Sequence, residues 1–121
     1  MKRDLELIRA LCLALEAAEG GTDVESKLVE SGYTPEQIGF HVYLLGDAGL
    51  AVVHDATALS DHLPRALAAH LTWRGYEFLE VAREDKRWSK AKAVLTKARG
   101  ASLEVALELL KSYLKHEAGL P

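Results

Sequence analysis

Apolar residues recur three and four positions apart over most of the chain, which is the pattern of amphipathic helices. The first stripe predicts a helix over residues 4–18. Its apolar members are Leu5, Ile8, Leu11, Cys12 and Leu15. Thr22 or Asp23 can then cap a short second helix that stops at Gly32, because short polar side chains accept hydrogen bonds from the first N–H groups of a helix. The positions predicted to be buried in that helix are Val24, Leu28 and Val29.

A third helix begins at the sequence Thr34-Pro-Glu-Gln37, the strongest start signal in the chain. Thr is a favourable N-cap, Pro is preorganised at the first helical position, and Gln37 stands where a capping-box partner belongs. The helix is predicted to run to about Ala48, and Gly49 suits a left-handed C-terminal cap. At about 100° per residue, one face gathers Ile38, His41, Val42, Leu45 and Ala48. The opposite face gathers Glu36, Gly39, Phe40, Tyr43 and Asp47.

Two short apolar runs, residues 50–54 and 66–72, flank a polar stretch and predict a β-hairpin with a long tip. Thr72 can cap the next helix, which we expect from Trp73 to about Glu84. Gly75 in its first turn permits a close approach of backbone. The inward-facing residues of this helix are predicted to be Phe78, Leu79 and Ala82.

Two more helices complete the pattern, at residues 85–99 and 102–117, with Gly100 between them. The stripe of the former contains Trp88, Ala91, Leu95 and Ala98. The stripe of the latter contains Leu103, Ala106, Leu107, Leu110 and Leu114. The pattern therefore predicts a mostly α protein with a small β-hairpin. Residues 1–84 form its core domain, and residues 85–121 form a helical extension that packs on the core or serves dimerisation.

Composition supports this class and narrows the setting. The 121 residues suffice for one domain, and only 9 Gly and 3 Pro interrupt a chain rich in helix-forming residues. A single Cys can form neither an internal disulfide nor a Cys-based zinc site, which is typical of a reducing cytosol. Charges near Met1 are unlike a secretion signal, and no apolar run approaches the roughly 18 residues of a membrane span. We expect a soluble, cytoplasmic protein.

The net charge of −3 conceals an uneven distribution. Residues 1–82 carry six Lys or Arg against thirteen Asp or Glu, whereas residues 83–99 carry seven against two. Residues 100–121 carry two against three. Residues 83–99 are thus strongly basic, whereas residues 1–82 are acidic. Such a separation of charge along a chain bears on which partners the protein binds.

The predicted order of helix, short helix, capped helix, two strands and helix resembles a winged helix-turn-helix. The junction Leu71-Thr-Trp-Arg-Gly-Tyr-Glu-Phe-Leu79 carries a Leu-Thr-x-x-Gly element that occurs in many bacterial winged-helix proteins. Together with Met1-Lys-Arg-Asp-Leu-Glu-Leu-Ile8 and the stretch 32–50, it resembles a family of small phage, prophage and bacterial proteins, the domain of unknown function 2513. Tyr76 stands where that family's motif has a His. The resemblance implies a winged helix-turn-helix fold in a mobile-element setting, and it implies no mechanism.

In a winged helix-turn-helix the third helix normally enters the major groove, and Lys and Arg contacts to phosphates supply most of the non-specific affinity. Here that helix contains neither, and its outer face presents Glu36 and Asp47. DNA contact is therefore expected from a basic ridge at the hairpin and the helices after it. The simpler alternative is that these charges only solvate an exposed helix face. The candidate nucleic-acid-binding residues are Arg65, Arg74, Arg83, Lys86, Arg87 and Lys90.

A protein partner is the competing interpretation. Phe40 and Tyr43 lie one helical turn apart beside Glu36 and Asp47, and exposed aromatic residues with acidic neighbours are more typical of a protein interface than of a DNA groove. Alternatively, the C-terminal helices fold back and bury them. The last helix can also pair with its symmetry mate to form a homodimer.

Residues capable of catalysis or metal binding are few and poorly spaced. Two His and an Asp of the hairpin region could meet on zinc, but none of the spacings matches a known ligand frame. The residues in question are His54, Asp55, Asp61, His62 and His70. Cys12 lies on a buried stripe, and Ser60 lacks a nucleophile elbow.

We therefore predict a non-enzymatic binding protein without metal or cofactor. A DNA-binding regulator of a phage or prophage gene ranks first, by analogy with the fold. A factor that engages a host complex or a defence protein ranks second.

Overall fold

The computed structural model describes residues 1–18 and 24–97, together with the single residues Glu108 and Ser112. The described elements follow the predicted order of helices and strands. They are α1 (Leu5–Ala17), α2 (Val24–Glu30), α3 (Pro35–Asp47), β1 (Ala51–Asp55), β2 (Ala66–Leu71), α4 (Trp73–Ala82) and α5 (Asp85–Lys97). The prediction of a mostly helical protein with one small hairpin is confirmed.

Several predicted features lie outside the described residues. They are the cap at Thr22 or Asp23, Ala98, Gly100 and the apolar stripe of the last helix, which was expected to serve dimerisation. Glu108 and Ser112 are helical and exposed. In the described part of the chain, no helix is long and apolar enough to cross a membrane.

The chain divides into two compact units, Met1–Tyr76 and Glu77–Pro121, with the boundary inside α4. In the first unit α1 packs against α2, α3 and β2, and α3 packs against both strands. The core of this unit therefore lies where α1, α3 and the hairpin meet. The predicted domain division between residues 84 and 85 stays a prediction.

Helix α1 begins where the sequence predicts. The Asp4 carboxylate caps it by accepting hydrogen bonds from the Glu6 N–H (2.9 Å) and the Leu7 N–H (3.4 Å). The buried residues are Leu7, Ile8, Leu11, Cys12 and Leu15. The predicted stripe is confirmed except that Leu7 is buried and Leu5 is only half-buried.

The α2 and α3 helices are joined by a tight turn. Helix α2 stops before Gly32, as predicted, and Gly32 has a positive φ of 101°. Burial in α2 is smaller than predicted: Leu28 is buried, Val24 is half-buried, and Val29 is 41% exposed. Helix α2 has only seven residues, and Leu28 is the residue of it that is buried. Because Val29 is rotated by about 100° from Leu28 around the helix axis, its side chain lies away from the buried side.

Helix α3 starts with the predicted capping box. The Gln37 side chain accepts from the Thr34 N–H (2.9 Å), and the Thr34 hydroxyl accepts from the Gln37 N–H (3.1 Å). Gly49 takes the predicted left-handed conformation after the helix (φ 76°). The predicted inner face is buried except Ala48, which is half-buried. Gly39, predicted on the outer face, is also buried.

The hairpin pairs β1 and β2 antiparallel with one irregularity. Ala51 pairs with Leu71 and Val52 with His70, but Val53 pairs with Ala68, so β2 carries an extra residue at Ala69. Such a bulge increases the local twist of a hairpin.

The first turn of α4 packs against Gly49 and Leu50, the two residues before β1. Thr72 caps it by accepting from the Gly75 N–H (3.1 Å), and the Thr72 hydroxyl also donates to the Gly49 carbonyl. A Cβ at Gly75 would meet the Leu50 carbonyl oxygen, so the predicted close approach of backbone at Gly75 is confirmed. The helix ends at Ala82, slightly before the predicted Glu84.

In the second unit, α4 and α5 share an aromatic contact. Phe78 and Trp88 meet edge to face with ring centroids 5.9 Å apart. The predicted inward residues of α4 are all buried, as are Trp88, Ala91 and Leu95 of α5.

Candidate functional site

The outer side of α3 carries a row of acidic and aromatic side chains. Glu36 and Asp47 are exposed, Tyr43 is 37% exposed, and Phe40 is half-buried. The rings of Phe40 and Tyr43 stack, with centroids 6.3 Å apart and planes 19° apart. Both rings therefore form one apolar patch with a carboxylate at each end. We call these four residues the acidic–aromatic face.

Arg65, a predicted nucleic-acid contact at the loop end of the hairpin just before β2, lies along α3. A Cβ at Gly39 would come within 2.7 Å of the Arg65 side chain, which explains why Gly39 is buried. The guanidinium forms an ion pair with Glu25 at 3.6 Å. Arg65 thus bridges the hairpin to α2 and α3. The pair is more than a third exposed on both sides, so it contributes little to stability.

Arg74 is half-buried, and its guanidinium lies against Gly49. It also makes at least one further interaction. The guanidinium therefore reaches from the first turn of α4 to the residues just before β1. The two predicted nucleic-acid contacts of the first unit, Arg65 and Arg74, therefore each have protein partners.

Two arginines of the second unit hold the connection between α4 and α5. Arg83 pairs with the Glu80 carboxylate at 3.7 Å, and the Arg87 guanidinium donates to the Glu80 carbonyl at 3.1 Å. Glu80 is the exposed acid next to both cations. Arg83 and Arg87, both predicted nucleic-acid contacts, therefore interact with Glu80 of the same chain.

Three of the four lysines of α5 form a row on its exposed side. Lys86, Lys90 and Lys97 are exposed, and at about 100° per residue they fall within about 40° of one another, opposite the buried Trp88 side. Ser89 and Ala93, also exposed, are the small residues beside them. We call Lys86, Lys90 and Lys97 the lysine row. Lys97 was missing from the predicted site, although its spacing of seven from Lys90 indicates the same face.

A cleft of about 450 Å³ separates the start of α3 from the hairpin loop. Its charged and titratable lining comprises Glu36, Asp61, His62 and Arg65. Sequence reasoning missed this cleft, because it depends on where the loop folds over Thr34 and Pro35. The cleft brings two carboxylates, one imidazole and one guanidinium together along its opening.

His41 lies in the core, where the sequence places it. Its Nε2 atom accepts from the Asp4 N–H at 2.9 Å, and its Nδ1 atom donates to the Gln37 carbonyl at 2.8 Å. This arrangement requires the neutral ring with hydrogen on Nδ1. The side chain is 1% exposed, so it has a structural role in joining α1 to α3.

The environments of the residues considered for catalysis or zinc binding do not suit either role. Burial raises the pKa of the Cys12 thiol to about 12, so the nucleophilic thiolate is disfavoured. Hydrogen bonds from Thr57 lower the pKa of Asp55. Asp61 accepts from the Ala58 N–H at 2.7 Å within the turn that also contains Ser60. Across the described ranges, no three His, Cys, Asp or Glu residues gather closely enough to hold a metal ion.

These features define a small, mostly helical protein with one hairpin and two oppositely charged helix faces. The family model described as "Hypothetical protein (DUF2513)" matches residues 2–102, and the chain belongs to this family. A protein of Haemophilus influenzae described as uncharacterized is 32% identical over 114 residues, which cover 92% of this chain and 90% of that protein. No solved structure matches the chain significantly.

Proposed function

We propose that this protein is a non-enzymatic binding module of the winged helix-turn-helix type and that it binds duplex DNA through the lysine row of α5. The element order of the first unit supports the fold assignment. Helices α2 and α3 are joined by the short segment 31–34, which contains Gly32, as in helix-turn-helix motifs. A two-stranded hairpin then follows at the position of a wing.

The observation that carries the DNA proposal is the common exposed side of Lys86, Lys90 and Lys97. Three ammonium groups along one helix face can contact phosphates of a duplex and release counterions. Helix α3 has no Lys or Arg to contribute, and its outer carboxylates repel phosphate. Binding is therefore expected to depend strongly on salt and weakly on sequence.

The test is fluorescence anisotropy with a labelled duplex at several salt concentrations. Three phosphate contacts predict that log K falls against log salt with a slope of about −2.7. Reversal of all three charges (K86E, K90E and K97E) should abolish binding at low salt. The matched control is K27E, which reverses an exposed lysine on α2. Equal binding by the triple variant, or no binding by the wild type at low salt, would overturn the proposal.

On the basis of the resemblance to phage and prophage proteins, the proposed role of DNA binding is to regulate a gene of a mobile element. A preference for one operator would require base contacts in addition to the lysine row. Selection of bound duplexes from a random pool, compared with the K86E/K90E/K97E variant, tests for such a preference.

A second candidate function is protein binding, for example to a host complex or a defence protein. The observation that favours it is the stacked pair of Phe40 and Tyr43 between two exposed carboxylates. Aromatic residues are enriched in protein interfaces. Carboxylates on a helix repel the phosphates of DNA. The test is affinity purification from bacterial cells with the wild type, with E36K/D47K and with K86E/K90E/K97E. A partner lost only in E36K/D47K supports this function, and a partner retained by all three contradicts it.

A further inference from the structure

The acidic–aromatic face of α3 and the exposed side of α5 repeat the same spacing with opposite charge. Both helices have 13 residues. Glu36, Phe40, Tyr43 and Asp47 occupy positions two, six, nine and thirteen of α3. Lys86, Lys90, Ala93 and Lys97 occupy positions two, six, nine and thirteen of α5. Each helix therefore presents an outer row that is about 17 Å long and turns by only about 20° from end to end.

The two rows match in chemistry as well as in length. The ends of the α3 row are carboxylates, and the ends of the α5 row are ammonium groups. Between its ends, the α3 row carries the Phe40–Tyr43 stack, and the α5 row carries the small Ala93 and the aliphatic stem of Lys90. Small side chains let helices approach closely, and an ammonium group over an aromatic ring gains a cation–π contact.

The end charges also lack partners in the part of the chain that the structure describes. No ion pair there involves Glu36, Asp47, Lys86 or Lys97. Exposed opposite charges on rows of equal length favour docking in register, since a shift by one turn separates the pairs.

We propose that the acidic–aromatic face of one copy of this chain binds the exposed side of α5 of a second copy, with the two helices antiparallel. Glu36 then pairs with Lys97, and Asp47 pairs with Lys86. Antiparallel packing also aligns the helix dipoles favourably. The inference rests on the second candidate function, that α3 carries a protein interface, and it names the partner.

Sedimentation equilibrium at low salt tests the inference without DNA. The weight-average mass should rise above 13.3 kDa as concentration increases, and 0.5 M salt should suppress the rise. Either E36K or K97E alone should weaken association by about fivefold or more, because an attraction becomes a repulsion. The combined variant E36K/K97E should restore association, whereas the mismatched pair E36K/K86E should not. Circular dichroism serves as the control that each variant is folded.

A monomer at every concentration would overturn the inference, and so would a dimer that is insensitive to these reversals. Restoration by E36K/K86E in place of E36K/K97E would overturn the antiparallel arrangement. Failure here is distinct from failure of the second candidate function. If the wild type binds a cellular partner that E36K/D47K does not bind, the second candidate function is supported. If the wild type at the same time shows no self-association, the partner of the α3 face is another protein and not a second copy of this chain.

Discussion

His41 is a buried polar side chain whose two ring nitrogens are both hydrogen-bonded. The helical periodicity of α3 predicts its buried position. Its partner, the Asp4 N–H, lies 37 residues away and could not be predicted, because local patterns carry no information on which distant backbone group meets a ring nitrogen. One residue thus ties the cap of α1 to the middle of α3.

Replacement of His41 tests this tie. His41→Leu keeps an apolar side chain of similar size but leaves the partly buried Asp4 N–H without its acceptor, which should cost about 1–3 kcal/mol in the free energy of unfolding. Urea denaturation measures the change. His62→Leu, at an exposed position, is the control and should change stability by about 0.5 kcal/mol or less. Equal stability of His41→Leu and the wild type would show that the hydrogen bond contributes nothing.

Cys12 makes stability depend on pH in the alkaline range. In the native state the pKa of the thiol is about 12, against 9.0 for an unperturbed thiol, because burial disfavours the thiolate. Between these values the unfolded chain binds fewer protons than the native one, so stability falls as pH rises above 9. One thiol accounts for a loss of about 1 kcal/mol between pH 8 and pH 10.

Urea unfolding at the two pH values checks this expectation. Cys12→Ala should lose about 1 kcal/mol less than the wild type on the same pH change, because it has no thiol to titrate. Identical pH dependence in the two proteins would contradict the assigned burial of the thiol.

At the scale of elements, predictions succeed where neighbouring residues decide the structure. The capping box of Thr34 and Gln37 and the left-handed Gly49 were predicted residue by residue, since each depends on a local backbone conformation. The bulge at Ala69 and the position of Arg65 along α3 were not, because they depend on contacts between the hairpin and the helices. Contact with Arg65 also buries Gly39, which periodicity alone places on the outer face.

The close approach at Gly75 yields a prediction about the α4 docking. Gly75→Ala places a methyl group on the Leu50 carbonyl oxygen, a backbone atom that cannot move without disturbing the start of β1. We expect a loss of about 2–3 kcal/mol in the free energy of unfolding. Gly39→Ala is the matched control, because it meets only the flexible Arg65 side chain and should cost much less. Thermal unfolding compares the two, and a larger loss for Gly39→Ala would contradict the assignment.

At the scale of the whole molecule, the charge separation found in the sequence has a structural counterpart. The acidic charge includes the outer face of α3, and the basic charge includes the lysine row of α5. Sequence reasoning predicted both faces and missed Lys97. It could not predict that Arg65, Arg83 and Arg87 have protein partners, because those contacts depend on tertiary structure.

The two proposals use α5 in exclusive ways. DNA and the α3 face of a second copy compete for the same lysines. Self-association is therefore expected to limit DNA binding at high protein concentration, and added duplex should return the protein to one copy per complex.

The most direct measurement for the DNA proposal is an NMR titration of the isotope-labelled protein with a short duplex at low salt. The amides of Lys86, Lys90 and Lys97 should shift with DNA concentration, and those of Glu36 and Asp47 should follow only the loss of self-association. The shifts at the lysine row should disappear in the K86E/K90E/K97E variant. Shifts centred on α3 that persist in this variant, or the absence of any shift at low salt, would contradict DNA binding through α5.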